Sequence, residues 1–170
     1  FTRDSNWYWA SAGKSLTAFL VGIAKQEGSL SLYDSTSKYL GTGWTSLTPE
    51  QEGKIKVINQ LTMTSGLDDG VPDHYCTLPS CLVYKSEPGN RWAYHNAPYT
   101  LLDGVMTSAS GQNLNLFMQQ RVKLVTGMSG VFLPSGYNNV YYSTPRSMAR
   151  FGLLMLNRGR WDATPILTDT

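Results

Sequence analysis

Apolar residues in the first part of the chain recur with the spacing of one helix face. They fall three or four positions apart at Leu16, Phe19, Leu20, Ile23 and Ala24. This spacing predicts an amphipathic helix over residues 12–27, and Gly28 follows it as a helix stop.

The same helical pattern returns in the middle of the chain. It predicts a short helix over 55–63 and longer helices over 96–110 and 113–122. Asn96 is a candidate cap for the second of these, with Pro98 in its first turn.

A last helix is predicted after Thr144, which fits a capping position, and Pro145, which fits the first helical position. Gly159 closes it. Its apolar stripe, predicted to pack in the core, is Met148, Phe151, Met155 and Leu156.

The remaining segments lack a helical period. Residues 35–40 form a short element, and 41–53 are interpreted as a loop because Gly, Thr and Pro cluster there. Residues 67–90 form a long irregular stretch, which in a compact domain is usually functional. Residues 130–143 are a loop or a short strand. The pattern therefore predicts a helix-rich, mixed α/β fold with few strands.

Composition excludes several classes of protein. The chain has 170 residues, 41% of them hydrophobic and 15% charged, with a formal net charge of +2. This balance argues against a disordered tail and against a nucleic-acid-binding surface. The longest apolar run, around residues 19–24, is far shorter than the roughly 20 residues of a membrane-spanning helix.

Two cysteines, Cys76 and Cys81, enclose four residues. They can close a small disulfide loop in an oxidising compartment or remain as thiols. With His74 and His95 they would also make four possible zinc ligands. A C-x4-C pair is not a standard zinc spacing, which favours the disulfide.

The first candidate for chemistry is Ser11-Ala12-Gly13-Lys14, an S-x-x-K motif at the start of the first predicted helix. A serine in the first turn lies near the positive helix end, and a lysine three residues on shares its face. That amine can take the serine proton if its pKa is depressed. The Ser11 N–H can help to stabilise an oxyanion.

The second candidate is Tyr94-His95-Asn96, a Y-x-N motif. A tyrosinate beside a lysine can act as a general base, and the amide can orient a substrate. Neither motif is specific alone, since chance predicts roughly 0.7 S-x-x-K and 0.5 Y-x-N matches. Each motif occurs twice: a second S-x-x-K lies at Ser35–Lys38 and a second Y-x-N at Tyr137–Asn139. The second S-x-x-K is interpreted as a solvated surface.

Four segments in order carry a resemblance to a known family. The nucleophile-helix segment is W-A-S-A-G-K-S-L-T at 9–17, and L-T-M-T-S-G-L follows at 61–67. P-G with W-A-Y-H-N occupies 88–96, and A-R-F-G-L-L-M-L-N with a later G and W occupies 149–161. Together they resemble the class C β-lactamase-like serine hydrolases, which include penicillin-binding-protein-like enzymes, across almost the whole chain.

The resemblance implies a role for each matching residue. Ser11 would be the acylated nucleophile, Lys14 its proton partner and Tyr94 the general base, while Asn96 would help to position the substrate. His95 fills the variable place of the motif and has no implied role. The reaction implied is hydrolysis of an ester, amide or β-lactam through an acyl-serine. No metal or organic cofactor is implied.

The resemblance also carries expectations about fold, partners and compartment. It implies a β-lactamase/transpeptidase-like fold, with a small-molecule or peptide-like acyl substrate and no nucleic-acid partner. Family members are often exported, which together with the cysteine pair predicts a periplasmic or secreted bacterial protein.

Two departures from the family pattern shape the expected domain organisation. The family's third motif, K-T-G or H-x-G, does not occur, and Val125-Thr126-Gly127 is only its nearest match. The family's strands before the nucleophile are also missing. Residues 1–170 are therefore expected to cover mainly the helical part of an incomplete domain. A catalytically silent ligand-binding relative and an inactive fragment are the alternative hypotheses.

Overall fold

Helices make up most of the regular secondary structure in the computed structural model, which describes residues 2–168. The helices are α1 (Gly13–Gln26), α2 (Ser37–Leu40), α3 (Pro49–Gly53), α4 (Val57–Leu61), α5 (Asn96–Thr100), α6 (Leu102–Ser110), α7 (Leu114–Met118), α8 (Leu124–Thr126) and α9 (Pro145–Leu156). Short 3-10 turns occupy Ala10–Ala12 and Pro79–Cys81.

Two small antiparallel sheets accompany the helices in this part of the chain. The first has the order β1-β3-β2, from β1 (Trp7–Tyr8), β2 (Val131–Ser135) and β3 (Asn138–Ser143). Its register pairs Trp7 with Ser143 and Val131 with Tyr142. The second pairs β4 (Arg160–Trp161) with β5 (Thr164–Pro165). The segment 130–143, predicted as a loop or short strand, is thus a hairpin, and the helix-rich mixed α/β prediction is confirmed.

Helix α1 lies at the centre of the main hydrophobic core. Its predicted apolar face is confirmed, since Leu16, Leu20 and Ala24 are completely buried. Burying each of the leucine side chains contributes roughly 1.5–3 kcal/mol. The face packs against α6, which contributes Leu102 and Val105 to the same cluster. The core therefore fixes the position of the first turn of α1, which carries Lys14.

Three predicted elements differ in detail from the elements that the structure shows. Residues 41–53 contain α3, because Thr48 accepts a hydrogen bond from the Gln51 N–H and completes a capping box that a loop assignment overlooks. The helix predicted over 96–110 divides at Leu101 into α5 and α6, with His95 rather than Asn96 at the cap position. Helix α7 continues through a π-helical turn, Gln119–Lys123, into α8.

The last predicted helix is confirmed as α9, and Thr144 caps it by accepting a hydrogen bond from the Ser147 N–H. The predicted burial of its stripe is wrong for three residues. Exposed fractions are 39% for Met148, 49% for Met155 and 78% for Leu156. Periodicity shows that a helix has an apolar face but not which part of that face a neighbour covers. Here the buried residues of α9 are Ser147, Phe151 and Leu154.

Among the residues the structure describes, none of the helices combines the length and apolar character needed to cross a membrane.

Candidate active site

A cavity of about 400 Å³ opens between the start of α1, helices α5 and α6, and the β2–β3 hairpin. Ser11, Lys14 and Asn96, three of the residues singled out by the motifs, line it. Tyr94 contacts Ser11 through its hydroxyl group. The fold therefore brings the S-x-x-K and Y-x-N motifs to one place, although 83 residues separate Ser11 from Tyr94.

Ser11 lies in the 3-10 turn that precedes α1. The turn is held from one side by Trp9, which is buried and packs edge-on against Tyr141 with ring centroids 5.3 Å apart. The Trp9 indole N–H donates to Ser143 Oγ at 2.7 Å, and its backbone N–H donates to the Tyr141 carbonyl at 2.8 Å. These contacts tie the serine turn to β3, so the Ser11 hydroxyl has a defined position at the cavity wall.

Lys14 occupies the first turn of α1 and faces two tyrosine rings. Its Nζ atom lies 5.2 Å from the centroid of the Tyr94 ring and 5.6 Å from that of Tyr99. The Tyr99 hydroxyl donates to the Lys14 carbonyl oxygen at 2.7 Å. The ammonium group is thus placed beside the Tyr94 phenol by contacts with its ring and by the backbone of the same turn.

The Tyr94 hydroxyl donates a hydrogen bond to Ser11 Oγ at 2.8 Å. Partial burial by itself raises the pKa of Tyr94, but the hydrogen bonds with Ser11 and Lys14 and the positive charge of Lys14 outweigh it. The net result is a pKa below the ordinary value for a tyrosine. A lower pKa favours the tyrosinate, which is the form that can accept a proton from the serine.

The segment 61–67 supports the irregular stretch of chain that leads to Tyr94. The Gly66 carbonyl accepts hydrogen bonds from the N–H groups of Lys85 and Ser86, both at 3.0 Å. Gly66 has φ +79°, and a Cβ atom there would lie 2.2 Å from the Ser86 carbonyl oxygen. Further on, the Ala93 N–H donates to the Met63 carbonyl. Only glycine fits this close approach, so the T-S-G part of the motif has a structural role beneath the site.

His95 and Asn96 both point away from bulk solvent. Asn96 begins α5, is buried, and lines the cavity. His95 is only 2% exposed, and neither of its ring nitrogens has a hydrogen-bond partner. Burial lowers the pKa of His95 below its ordinary value, partly opposed by the charge of Asp69. The imidazole is therefore held neutral behind the site.

The buried His95 should make stability depend on pH. Because its pKa is lower in the folded than in the unfolded protein, the unfolded chain takes up the proton first as pH falls below 6.5. Stability present above that pH is then lost progressively as pH falls toward the lowered pKa of the folded protein. Urea unfolding of the full-length protein should show this loss, and His95→Leu should reduce it.

The other histidine, His74, is exposed, and its charge also contributes to the lowered pKa of His95. His74→Gln should therefore weaken the pH dependence of the wild type without abolishing it. The same slope in wild type and His95→Leu would contradict the assignment to His95.

Cys76 and Cys81 form a disulfide with their Cα atoms 5.9 Å apart. The bonded sulfurs are not available as thiolates, which contradicts the zinc alternative. Within residues 2–168 no group of three His, Cys, Asp or Glu side chains is placed to hold a metal ion. The neighbouring Tyr75 lines the cavity, so the disulfide loop borders the site.

The second copies of the two motifs lie in different surroundings. Lys38 of the second S-x-x-K is exposed and forms an ion pair with Asp34 at 2.8 Å, which confirms its interpretation as surface. The second Y-x-N lies at the turn between β2 and β3. There Asn138 and Asn139 line the cavity while Tyr137 is exposed.

Several residues of the cavity wall were not identified from the sequence. They are Tyr75, Tyr99, Asp103, Asn138 and Asn139. The spacing of Asn96, Tyr99 and Asp103, three and then four residues apart, is a signal that could have found two of them. Asn138 and Asn139 belong to the second Y-x-N match, but that match alone does not place them at the cavity, because the approach of the hairpin depends on long-range packing.

The family model described as β-lactamase matches residues 1–167. The chain therefore belongs to the β-lactamase family, as the motifs predicted. A comparison with curated protein sequences finds no match.

Solved structures show the same fold. A protein assigned as a β-lactamase, from Bacteroides dorei DSM 17855, has a TM-score of 0.80 at 23% identity, over 98% of this chain and 55% of its own. A protein assigned as a 6-aminohexanoate-dimer hydrolase, from Bacillus anthracis, has a TM-score of 0.76 at 18% identity, over 98% of this chain and 52% of its own.

A β-lactamase/D-alanine carboxypeptidase from Yersinia pestis, complexed with citrate, has a TM-score of 0.72 at 20% identity, over 89% of this chain and 54% of its own. The predicted β-lactamase/transpeptidase-like fold is thus confirmed. The chain spans about half the length of these structures.

Proposed function

We propose that this protein is a serine hydrolase that cleaves an ester, amide or β-lactam bond through an acyl-serine intermediate. The observation that carries the proposal is the 2.8 Å hydrogen bond between Tyr94 Oη and Ser11 Oγ, with the Lys14 ammonium beside the same phenol. A nucleophile in contact with a candidate base, which a third group polarises, is the arrangement that nucleophilic catalysis requires.

In the acylation step, Ser11 Oγ attacks the substrate carbonyl carbon while Tyr94, as tyrosinate, accepts the serine proton. Lys14 stabilises the tyrosinate with its charge and exchanges the proton with it. The leaving group takes this proton as its bond to the carbonyl breaks, so charge and protons balance.

In the deacylation step, water attacks the acyl-serine and Tyr94 accepts the proton of that water. Ser11 recovers a proton as the acid product leaves. Asn96 positions the substrate from the cavity wall, and the Ser11 N–H in the 3-10 turn before α1 stabilises the oxyanion of both steps.

Residues 1–170 form one part of a β-lactamase-like domain in this proposal, in agreement with the share of the solved structures that the chain spans. The substrate is a small-molecule or peptide-like acyl compound. We also propose a periplasmic or secreted location, which the Cys76–Cys81 disulfide supports, since disulfides persist in oxidising compartments.

Covalent labelling of the full-length protein tests the mechanism directly. A fluorophosphonate or penicillin probe should add one label, and peptide mass spectrometry should place it on Ser11. Absence of a label under all conditions, or a label on another residue, would contradict the proposal.

Replacing Tyr94 with phenylalanine removes the proton acceptor but keeps the ring beside Lys14. Loss of a general base typically costs 10²–10⁴-fold in rate, so Tyr94→Phe should lower kcat by roughly that factor with little change in KM. Hydrolysis of a p-nitrophenyl ester measures it. Tyr137→Phe, which changes the exposed tyrosine of the second Y-x-N, is the control and should retain full activity.

A further inference from the structure

Asp103 stands out in the cavity because the proposed mechanism does not use it. It lies in the first turn of α6 and lines the same cavity as Ser11 and Lys14, at the point where a second, neighbouring cavity also reaches it. Among the lining residues, Lys14 is the only basic side chain and Asp103 the only acidic one. The cavity thus presents a positive group at one position and a negative group at another.

The Asp103 carboxylate has no cationic partner within residues 2–168. The interactions acting on it are burial, which raises its pKa to about 6, and a hydrogen bond from the Asn139 side chain, which opposes that rise. The group is therefore ionised above that pH although it is partly removed from water. Buried charges are ordinarily paired, since isolation from water carries a large cost in free energy.

The surroundings of Asp103 suit an organic cation. Six aromatic side chains contribute to the cavity wall, namely Tyr8, Tyr75, Tyr99, Phe132, Tyr141 and Tyr142. Aromatic faces attract ammonium groups and also pack against apolar carbon. An ion with an apolar body would therefore contact the rings while its charge meets the carboxylate.

The position of Asp103 sets the distance between this charge and the reacting centre. Asp103 follows Asn96 by seven residues along the segment formed by α5 and α6, which is roughly 10 Å at 1.5 Å per residue. If the carbonyl group of a substrate contacts Ser11 near Asn96, a second group of that substrate, two helical turns from the carbonyl, would lie beside Asp103.

We infer that Asp103 is a specificity-determining residue, which binds an ammonium group on the substrate about two helical turns from the scissile carbonyl. The preferred substrates are then acyl compounds that carry a primary ammonium group next to an apolar segment. This inference rests on the proposed hydrolase function for the reaction, but the cation site itself can be measured without turnover.

Direct binding of benzylammonium and of benzyl alcohol, its neutral analogue of similar shape, tests the site. Calorimetry on the full-length protein at pH 8 should give a dissociation constant for benzylammonium at least about tenfold lower than that for benzyl alcohol. This is the difference expected for a hydrogen bond to a charged group. Asp103→Asn should remove this preference, since the amide keeps the size of the side chain without its charge.

Asp162→Asn is the matched control, because Asp162 is exposed and does not line the cavity. It should retain the preference of the wild type. Equal binding of the two compounds by the wild type would overturn the inference without recourse to any variant, and so would an undiminished preference in Asp103→Asn.

Labelling separates this inference from the proposed function. Saturating benzylammonium should slow fluorophosphonate labelling of Ser11 at least about tenfold, because the two compounds occupy one cavity. An unchanged labelling rate would overturn the placement of the cation site. A protein that binds benzylammonium through Asp103 but takes no label would instead contradict the proposed hydrolase and leave the cation site established.

Discussion

Replacing Ser11 with alanine is expected to reduce hydrolysis of a p-nitrophenyl ester by roughly 10⁴-fold or more, to the level of the uncatalysed reaction plus any binding effect. The reason is that Ser11 Oγ forms the covalent bond, and no other hydroxyl group is in contact with Tyr94 Oη in the described structure. The effect should appear in kcat, since Ser11→Ala leaves the cavity wall otherwise unchanged. Stopped-flow and steady-state rates on the full-length protein measure it.

The second S-x-x-K provides a matched control for this variant. Ser35 belongs to a motif whose lysine pairs with Asp34 on the surface, so Ser35→Ala should retain full activity. Covalent labelling should disappear in Ser11→Ala and persist in Ser35→Ala. Substantial turnover in Ser11→Ala would mean that the protein does not act through an acyl-serine at this position.

Replacing Lys14 with arginine is expected to lower kcat by roughly 10³-fold, within the range for loss of a proton-transfer group. Arginine keeps the positive charge near the Tyr94 and Tyr99 rings but does not release its proton near neutral pH. The variant therefore distinguishes proton exchange from simple electrostatic stabilisation. The measurement is kcat for the p-nitrophenyl ester, with thermal unfolding as the check on folding.

Lys38→Arg is the corresponding control, because the exposed Lys38 pairs with Asp34 at the surface and does not line the cavity. Activity close to that of the wild type is expected there. If Lys14→Arg also retained its turnover, Lys14 would act through its charge alone and the proton-exchange role would be wrong.

Local sequence predicted the helices well where one turn of chain contains the determining interactions. The stripe of α1 identified its buried face, and Thr144 with Pro145 identified the start of α9. These features depend on residues three or four positions apart and on caps that bond within the same turn. Helix α3 has a capping box of the same local kind, but it lies in a segment where Gly, Thr and Pro also favour a loop.

Other features could not follow from local patterns. The interruption at Leu101 and the exposure of Met155 and Leu156 depend on which neighbours each helix has, and periodicity contains no information about neighbours. The alternation of apolar and polar residues over 130–143 is too weak to predict the paired strands β2 and β3. Their register depends on contacts with the rest of the fold.

The candidate site shows the same division. Sequence by itself placed Ser11 and Lys14 on one helix turn, and the ordered motifs indicated the family to which the chain belongs. Only the tertiary structure decided that Tyr94 reaches Ser11 across 83 residues, and that Asp103 and Asn139 complete the cavity. The reason is physical: a helical turn is specified by neighbours along the chain, whereas a cavity is specified by the packing of distant elements, which brings together side chains that no local pattern connects.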